Sequence, residues 1–92
     1  MLNKDKLIKG FCNGLEKGKG SHLEIIKNYD KTLLFNYSTI IAVRDANGTI
    51  FLNTIKYSRT TSRNQNLIKL YASNIVEVDN EVKLFNIAMN SN

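Results

Sequence analysis

The dipeptide Asn47-Gly48 stands between two runs in which apolar residues recur at every second position, Leu33 to Asp45 and Thr49 to Ser58. Both central positions of a type I′ turn need positive φ, which asparagine and glycine accept more readily than other residues, so the pair marks a β-hairpin. A two-residue turn there sets Ala46 opposite Thr49 and, counting back, Val43 opposite Leu52, Ala42 opposite Asn53 and Ile40 opposite Ile55. Leu23 to Asn28 shows the same period and joins the middle run through Tyr29-Asp30-Lys31. The middle run is longer than most strands, so a bend or bulge is expected at Ser38-Thr39.

This register leaves apolar side chains on both faces. Leu33, Phe35, Ile41, Val43, Ile50 and Leu52 share one, whereas Leu34, Ile40, Phe51, Ile55 and Tyr57 share the other. Two short helices cover one face and leave part of the second for self-association or a partner, unless the bend swaps faces and both sets join one core.

Two segments have helical spacing. Asn3 is placed to cap a helix reaching about Lys17, with Leu7, Ile8, Phe11, Cys12 and Leu15 on one stripe. Gly10 and Gly14 each cost about 1 kcal/mol relative to alanine inside a helix, so the helix is marginal alone or something packs closely there. A second helix is expected from about Arg63 to Ala72, with Leu67, Ile68 and Tyr71 inward. Beyond it, Ile75–Val78 and Val82–Ile87 pair best as a hairpin around Asp79-Asn80-Glu81, which opposes Val78 with Val82 and Glu77 with Lys83. The expectation is a single α+β domain over residues 1–92: an antiparallel sheet with two short helices, in the order α-β-β-β-α-β-β.

Composition narrows function mainly by exclusion. A single cysteine, Cys12, forms no intrachain disulfide, and with no membrane-length apolar run or leader-like segment the expected setting is a cytoplasm. Gly18-Lys19-Gly20-Ser21 lacks the glycine spacing of a phosphate loop or a dinucleotide fingerprint and reads as a helix end and turn. His22 is the sole histidine and has no partner at metal-ligand spacing; no metal or cofactor is expected. It also stands 36 residues or more before the hydroxyl-rich stretch Ser58 to Ser62, and the acids are scattered, so no enzymatic constellation is visible.

The net charge of +5 is distributed unevenly. Residues 1–73 carry +7 and residues 74–92 carry −2, and no acid lies between Asp45 and Glu77. Within that gap, Lys56, Tyr57, Ser58, Arg59, Thr60, Thr61, Ser62 and Arg63 form a cationic, hydroxyl-rich segment where a strand gives way to a helix, and Ser62 with Gln65 has capping-box spacing. A helix start exposes unpaired N–H groups and partial positive charge. Arg59 and Arg63 are therefore candidates to clamp a phosphate, with Thr60, Thr61 or Ser62 and Lys56 beside it and Tyr57 offering a ring for stacking. The competing reading is self-capping, in which the hydroxyls serve only the helix start.

Tyr37-Ser38-Thr39-Ile40-Ile41-Ala42, then Asn47-Gly48, then Lys56-Tyr57-Ser58-x-Thr60-Thr61-Ser62-Arg63-x-Gln65-x-x-Ile68 resembles a family of small uncharacterised domains encoded by bacteriophages and mobile elements. The likeness covers roughly residues 33–70. It implies a phage accessory protein acting in a bacterial host and carries no catalytic residues with it. Two roles follow as expectations. One is binding to nucleic acid or a nucleoprotein complex through the cationic segment. The other is an inhibitor of a host defence complex, similar in style to anti-CRISPR proteins, docking on an acidic protein surface.

Overall fold

The computed structural model describes residues 3–20 and 22–90. In chain order the elements are α1 (Lys4–Cys12), β1 (Gly18–Gly20), β2 (Leu23–Asn28), β3 (Lys31–Asn36), β4 (Thr39–Arg44), β5 (Ile50–Asn53), α2 (Arg59–Tyr71), β6 (Ile75–Val78) and α3 (Glu81–Met89). The strands form one six-stranded sheet in sequential order. Neighbours from β1 to β5 are antiparallel, and β6 runs parallel to β5. Helices α1 and α2 cover one face and α3 the other. Ser21, placed above in a turn, and residues 91–92 lie outside the described residues.

The expected antiparallel sheet with two helices is corrected at both ends of the chain. Val82–Ile87 is not a strand: Asn80 caps a helix, its side-chain oxygen accepting from the Lys83 N–H at 3.0 Å. Leu84 and Ala88, one turn apart, are buried with Leu33, Val43 and Val78, while Phe35, Ile40, Phe51 and Ile87 pack around them. The apolar residues on the second sheet face thus acquire a helix rather than a hairpin. The C-terminal end of α3 is tied down by polar contacts from the β2–β3 hairpin. The Asn28 amide donates to the Ala88 carbonyl at 3.1 Å, and the buried Lys31 ammonium donates to the Asn90 carbonyl at 2.6 Å.

The parallel strand follows from where α2 ends. Leaving β5 at Asn53, the chain crosses in α2 and re-enters beside β5 in the same direction, so β5, α2 and β6 make a βαβ unit that the hairpin expectation left no place for. At the other end, Gly18–Gly20 pairs with β2 and adds a strand where a turn was expected. Gly18 lies against α1 so closely that an added Cβ would stand 2.8 Å from a Leu7 methyl.

The single long middle strand is two strands. Tyr37-Ser38 reverses the chain, with Tyr37 at φ 57°. The irregularity foreseen at Ser38-Thr39 is thus a full hairpin, and a separate bulge displaces the β3–β4 register opposite Leu34 and Phe35. That bulge turns both Ile41 and Ala42 into the α1/α2 core and leaves Ile40 and Val43 for the α3 side.

The β4–β5 hairpin also departs from expectation by one residue. Val43 faces Phe51 and Ala42 faces Leu52, because the loop has three residues between Asp45 and Thr49 instead of two. The Asp45 carboxylate accepts from the Asn47 and Thr49 N–H groups, both at 2.9 Å, and fixes a turn in which Gly48 alone takes positive φ, at 87°. The shift sends Phe51 toward α3, and Ile50 and Leu52 toward α1 and α2.

If α3 closes the second face through Leu84, Leu84→Ala lowers stability by about 2–4 kcal/mol, whereas Phe85→Ala, on its exposed side, stays within about 1 kcal/mol. Urea denaturation checks this, and equal losses would contradict the placement of α3.

Candidate functional site

The cationic segment begins where β5 stops. Residues 54–58 run without regular structure, and α2 starts at Arg59, one turn earlier than its spacing suggested. Ser58 is the cap. Its hydroxyl accepts from the Thr61 N–H at 3.2 Å and lies 3.2 Å from the Thr61 hydroxyl, and its carbonyl accepts from Ser62 N–H. The expected Ser62/Gln65 capping box does not form, because both residues lie inside the helix. Gln65 instead turns inward, its amide donating to the Asn53 carbonyl at 2.6 Å and the Ile55 carbonyl at 3.0 Å.

The interior beneath these first turns is polar. Thr61, Asn64 and Gln65 are buried, as are Asn36 and Asn53 on the sheet. Asn64 Nδ2 donates to Asn36 Oδ1. Asn53 Nδ2 reaches both the Ile40 carbonyl and the Tyr57 hydroxyl at 2.9 Å, while its Oδ1 accepts from the Ile55 N–H at 2.9 Å. These contacts fix the 54–58 segment and the direction in which α2 leaves it.

What remains outward is cationic. Lys56, Arg59, Thr60 and Arg63 are exposed, and Lys56, Arg59 and Arg63 are in no ion pair among the described residues. Arg59 and Arg63, four apart on one helix, share a face. The first turn holds no acid, and the N–H groups of Arg59 and Thr60 have no partner among the described residues. Lys56 and Lys69 flank a depression of about 320 Å³ that Ser62 and Asn66 also line. Lys69 is partly neutralised by Glu77 at 3.8 Å.

The predicted residues are thus not equivalent. Thr61 is 5% exposed and occupied with Ser58, so its hydroxyl belongs to the cap; Ser62 is half-buried, and Thr60 faces water. Tyr57 keeps 40% exposure. Partial burial raises its pKa above 10.0, the Asn53 amide opposes this, and the neighbouring Glu81 carboxylate adds to it, so the phenol stays protonated at neutral pH.

One feature of this end of the sheet carries no sequence motif. The Asn36–Asn64 contact brings the Tyr37 turn under the first half of α2, and the exposed Tyr37 ring stacks on exposed His22 with centroids 4.5 Å apart and planes 17° from parallel. His22 is placed by its own left-handed backbone, φ 66°, and its carbonyl accepts from the Tyr37 N–H at 2.7 Å. Two exposed aromatic groups, Tyr57 and the His22–Tyr37 stack, therefore sit at the sheet end that carries the α2 cations. Asp79 and Glu81 mark the same end on the α3 side.

Elsewhere the chemistry is sparse. Burial pushes the Cys12 thiol up from 9.0 to about 11, against the pull of the Arg44 guanidinium, which leaves little thiolate at neutral pH. No group of three His, Cys, Asp or Glu among the described residues is placed to hold a metal ion. No helix among them is long and apolar enough to cross a membrane.

Residues 12–84 match a family of unknown function, DUF8033. The chain belongs to this family. The matched region takes in the whole sheet, α2 and the first turn of α3, so the cationic segment and the polar interior that orients it lie within it. No curated protein and no solved structure matches the chain.

Cys12 links folding to pH. The unfolded chain ionises its thiol first, so this contribution to stability is intact below pH 9.0 and is lost as pH rises from there to about 11. Urea midpoints across that window should fall more for the parent than for Cys12→Ala; parallel declines would show that the thiol is not held protonated by the fold.

Proposed function

We propose that this DUF8033 domain is a non-enzymatic binding module that engages nucleic acid, free or within a nucleoprotein complex, through the outward face of α2 and the segment before it. The observation that carries the reading is the set of exposed, unpaired cations Lys56, Arg59 and Arg63 at a helix start that has no acid in its first turn. Guanidinium groups one helical turn apart suit successive phosphate oxygens, and Thr60 adds a hydroxyl and a free N–H. Tyr57 and the Tyr37–His22 stack supply flat surfaces for unstacked bases, which favours single-stranded over duplex substrate. Arg59 and Arg63 are the contacts that set affinity; Thr61 and Ser62 act by building the helix start.

A second reading keeps the same cations and changes the partner. The phage-like resemblance of the Tyr57-Ser58-x-Thr60-Thr61-Ser62-Arg63 block supports an accessory protein of a phage or mobile element. In a bacterial cytoplasm it would inhibit a host defence complex by covering an acidic protein face, in the style of anti-CRISPR proteins. Capture from nuclease-treated host lysate separates the two: a retained protein supports inhibition, and loss of every partner supports nucleic acid.

A fluorescent single-stranded oligonucleotide titrated at about 50 and about 200 mM salt should bind at least tenfold more weakly at the higher salt. Arg59→Ala and Arg63→Ala should each weaken binding and reduce the slope of log affinity against log salt by about 1. Binding that ignores salt, or survives the double variant unchanged, would remove the reading.

A further inference from the structure

The two sheet faces are covered unequally. Six strands at about 4.8 Å spacing span roughly 24 Å, and a helix needs about 10 Å, so each face has room for two helices. Helices α1 and α2 fill one face. On the other, α3 lies alone over β3 to β6, and its hydrogen bonds to β2 are made at Asn28, at the end of that strand. The outer face of β1 and β2 is bare: Ile26 is 41% exposed, and a depression of about 700 Å³ runs beside it, bounded by Lys17, Lys19 and Glu24. On α3, Val82, Phe85 and Met89 are 70%, 53% and 43% exposed, an apolar stripe on its flank: Val82 and Phe85 border a depression of about 340 Å³ with Phe35, Ser38 and Ile40, and the Met89 sulfur lies 3.8 Å from the Asn28 amide.

One molecule therefore carries both a helix-wide gap and a helix with a spare apolar side, and their rims have opposite charge. Around the gap, Lys27 is held by Glu16, and Lys19 has Glu24 as its cross-strand neighbour; Lys17 and Lys19 make no ion pair among the described residues. Around the start of α3, Asp79 and Glu81 make no ion pair among the described residues, Glu81 lying beside the Tyr57 hydroxyl, and Lys83 is the cation nearest in sequence. We infer that a second copy of this chain covers the face. The α3 helix of each copy lies in the gap of the other, and the two helices run side by side in one layer between the two sheets. A two-fold axis along the helices sets the two apolar stripes side by side, with Phe85 beside the partner's Phe85, lays the partner's helix over Ile26, and brings Lys19 beside the partner's Glu81. The contact is isologous and closes as a dimer. It leaves the outward face of α2 free.

Sedimentation velocity over low to high micromolar protein should show a reversible dimer. Ile26→Glu and Phe85→Glu, both at exposed positions, should each raise the dissociation constant about tenfold or more, with the far-UV circular dichroism unchanged. Lys19→Glu should weaken the dimer and Glu81→Lys, added to it, should restore it, which keeps the test independent of how the apolar positions tolerate a charge. A chain that stays monomeric at high micromolar concentration, a dimer indifferent to Ile26→Glu, or charge reversal without restoration would each overturn the inference.

Discussion

Gln65 bridges two carbonyls, those of Asn53 and Ile55, just past the end of β5, and the surface reading of this protein rests on that bridge. A buried amide left unpaired costs about 1–3 kcal/mol, so a side chain that satisfies two backbone acceptors favours one backbone path strongly. The path it favours takes residues 54–58 around the end of the sheet and starts α2 with Thr61, Asn64 and Gln65 inward. With the inward positions filled by amides and a hydroxyl, Arg59 and Arg63 have only the outward face. The network is not complete: Asn36 Nδ2 and Asn64 Oδ1 are buried without partners among the described residues. The first half of α2 is thus held by directional polar contacts, and its second half by Ile68 in the apolar core.

The sheet divides the labour. Leu7, Ile8, Phe11, Leu34, Ile41, Leu52 and Ile68 form a continuous core on one side, and the smaller set around Leu33, Val43 and Leu84 closes the other. Outside the core, α1 and α2 are joined by the Tyr71 hydroxyl, which donates to the Asp5 carboxylate at 2.8–2.9 Å and by doing so holds its own pKa above 10.0. The second side is closed by one helix whose far end depends on Asn28 and Lys31.

Much of this was legible in the sequence where a local rule decides the outcome. Asn3 caps α1, its side chain accepting from the Lys6 N–H at 2.9 Å, and Leu23–Asn28 is a strand with the foreseen bounds. The failures share a cause, which is competition between local signals settled by distant partners. Asn47-Gly48 advertised a two-residue turn, but Asp45 two positions earlier captured the turn amides and added a residue to the loop. Val82–Ile87 has apolar residues that suit either period, and Asn80 suits either a turn or a cap. Only the uncovered face made by Leu33, Val43 and Phe51 decides for the helix. In the cationic segment, the residue types identified a helix start, but which serine capped it depended on Gln65 being drawn to Asn53, across the chain. The Tyr37–His22 stack had no signal at all, since it depends on two residues in left-handed backbone meeting across a turn.

The most direct test of the central claim follows backbone amide resonances of the isotope-labelled protein during titration with a single-stranded oligonucleotide. Binding through the outward face of α2 places the largest shifts at Arg59, Thr60 and Arg63, with smaller ones at Tyr57 and Tyr37, and leaves α1 unmoved. Saturable binding with shifts confined to β1, β2 or α3, or no shifts at any oligonucleotide concentration, would contradict it.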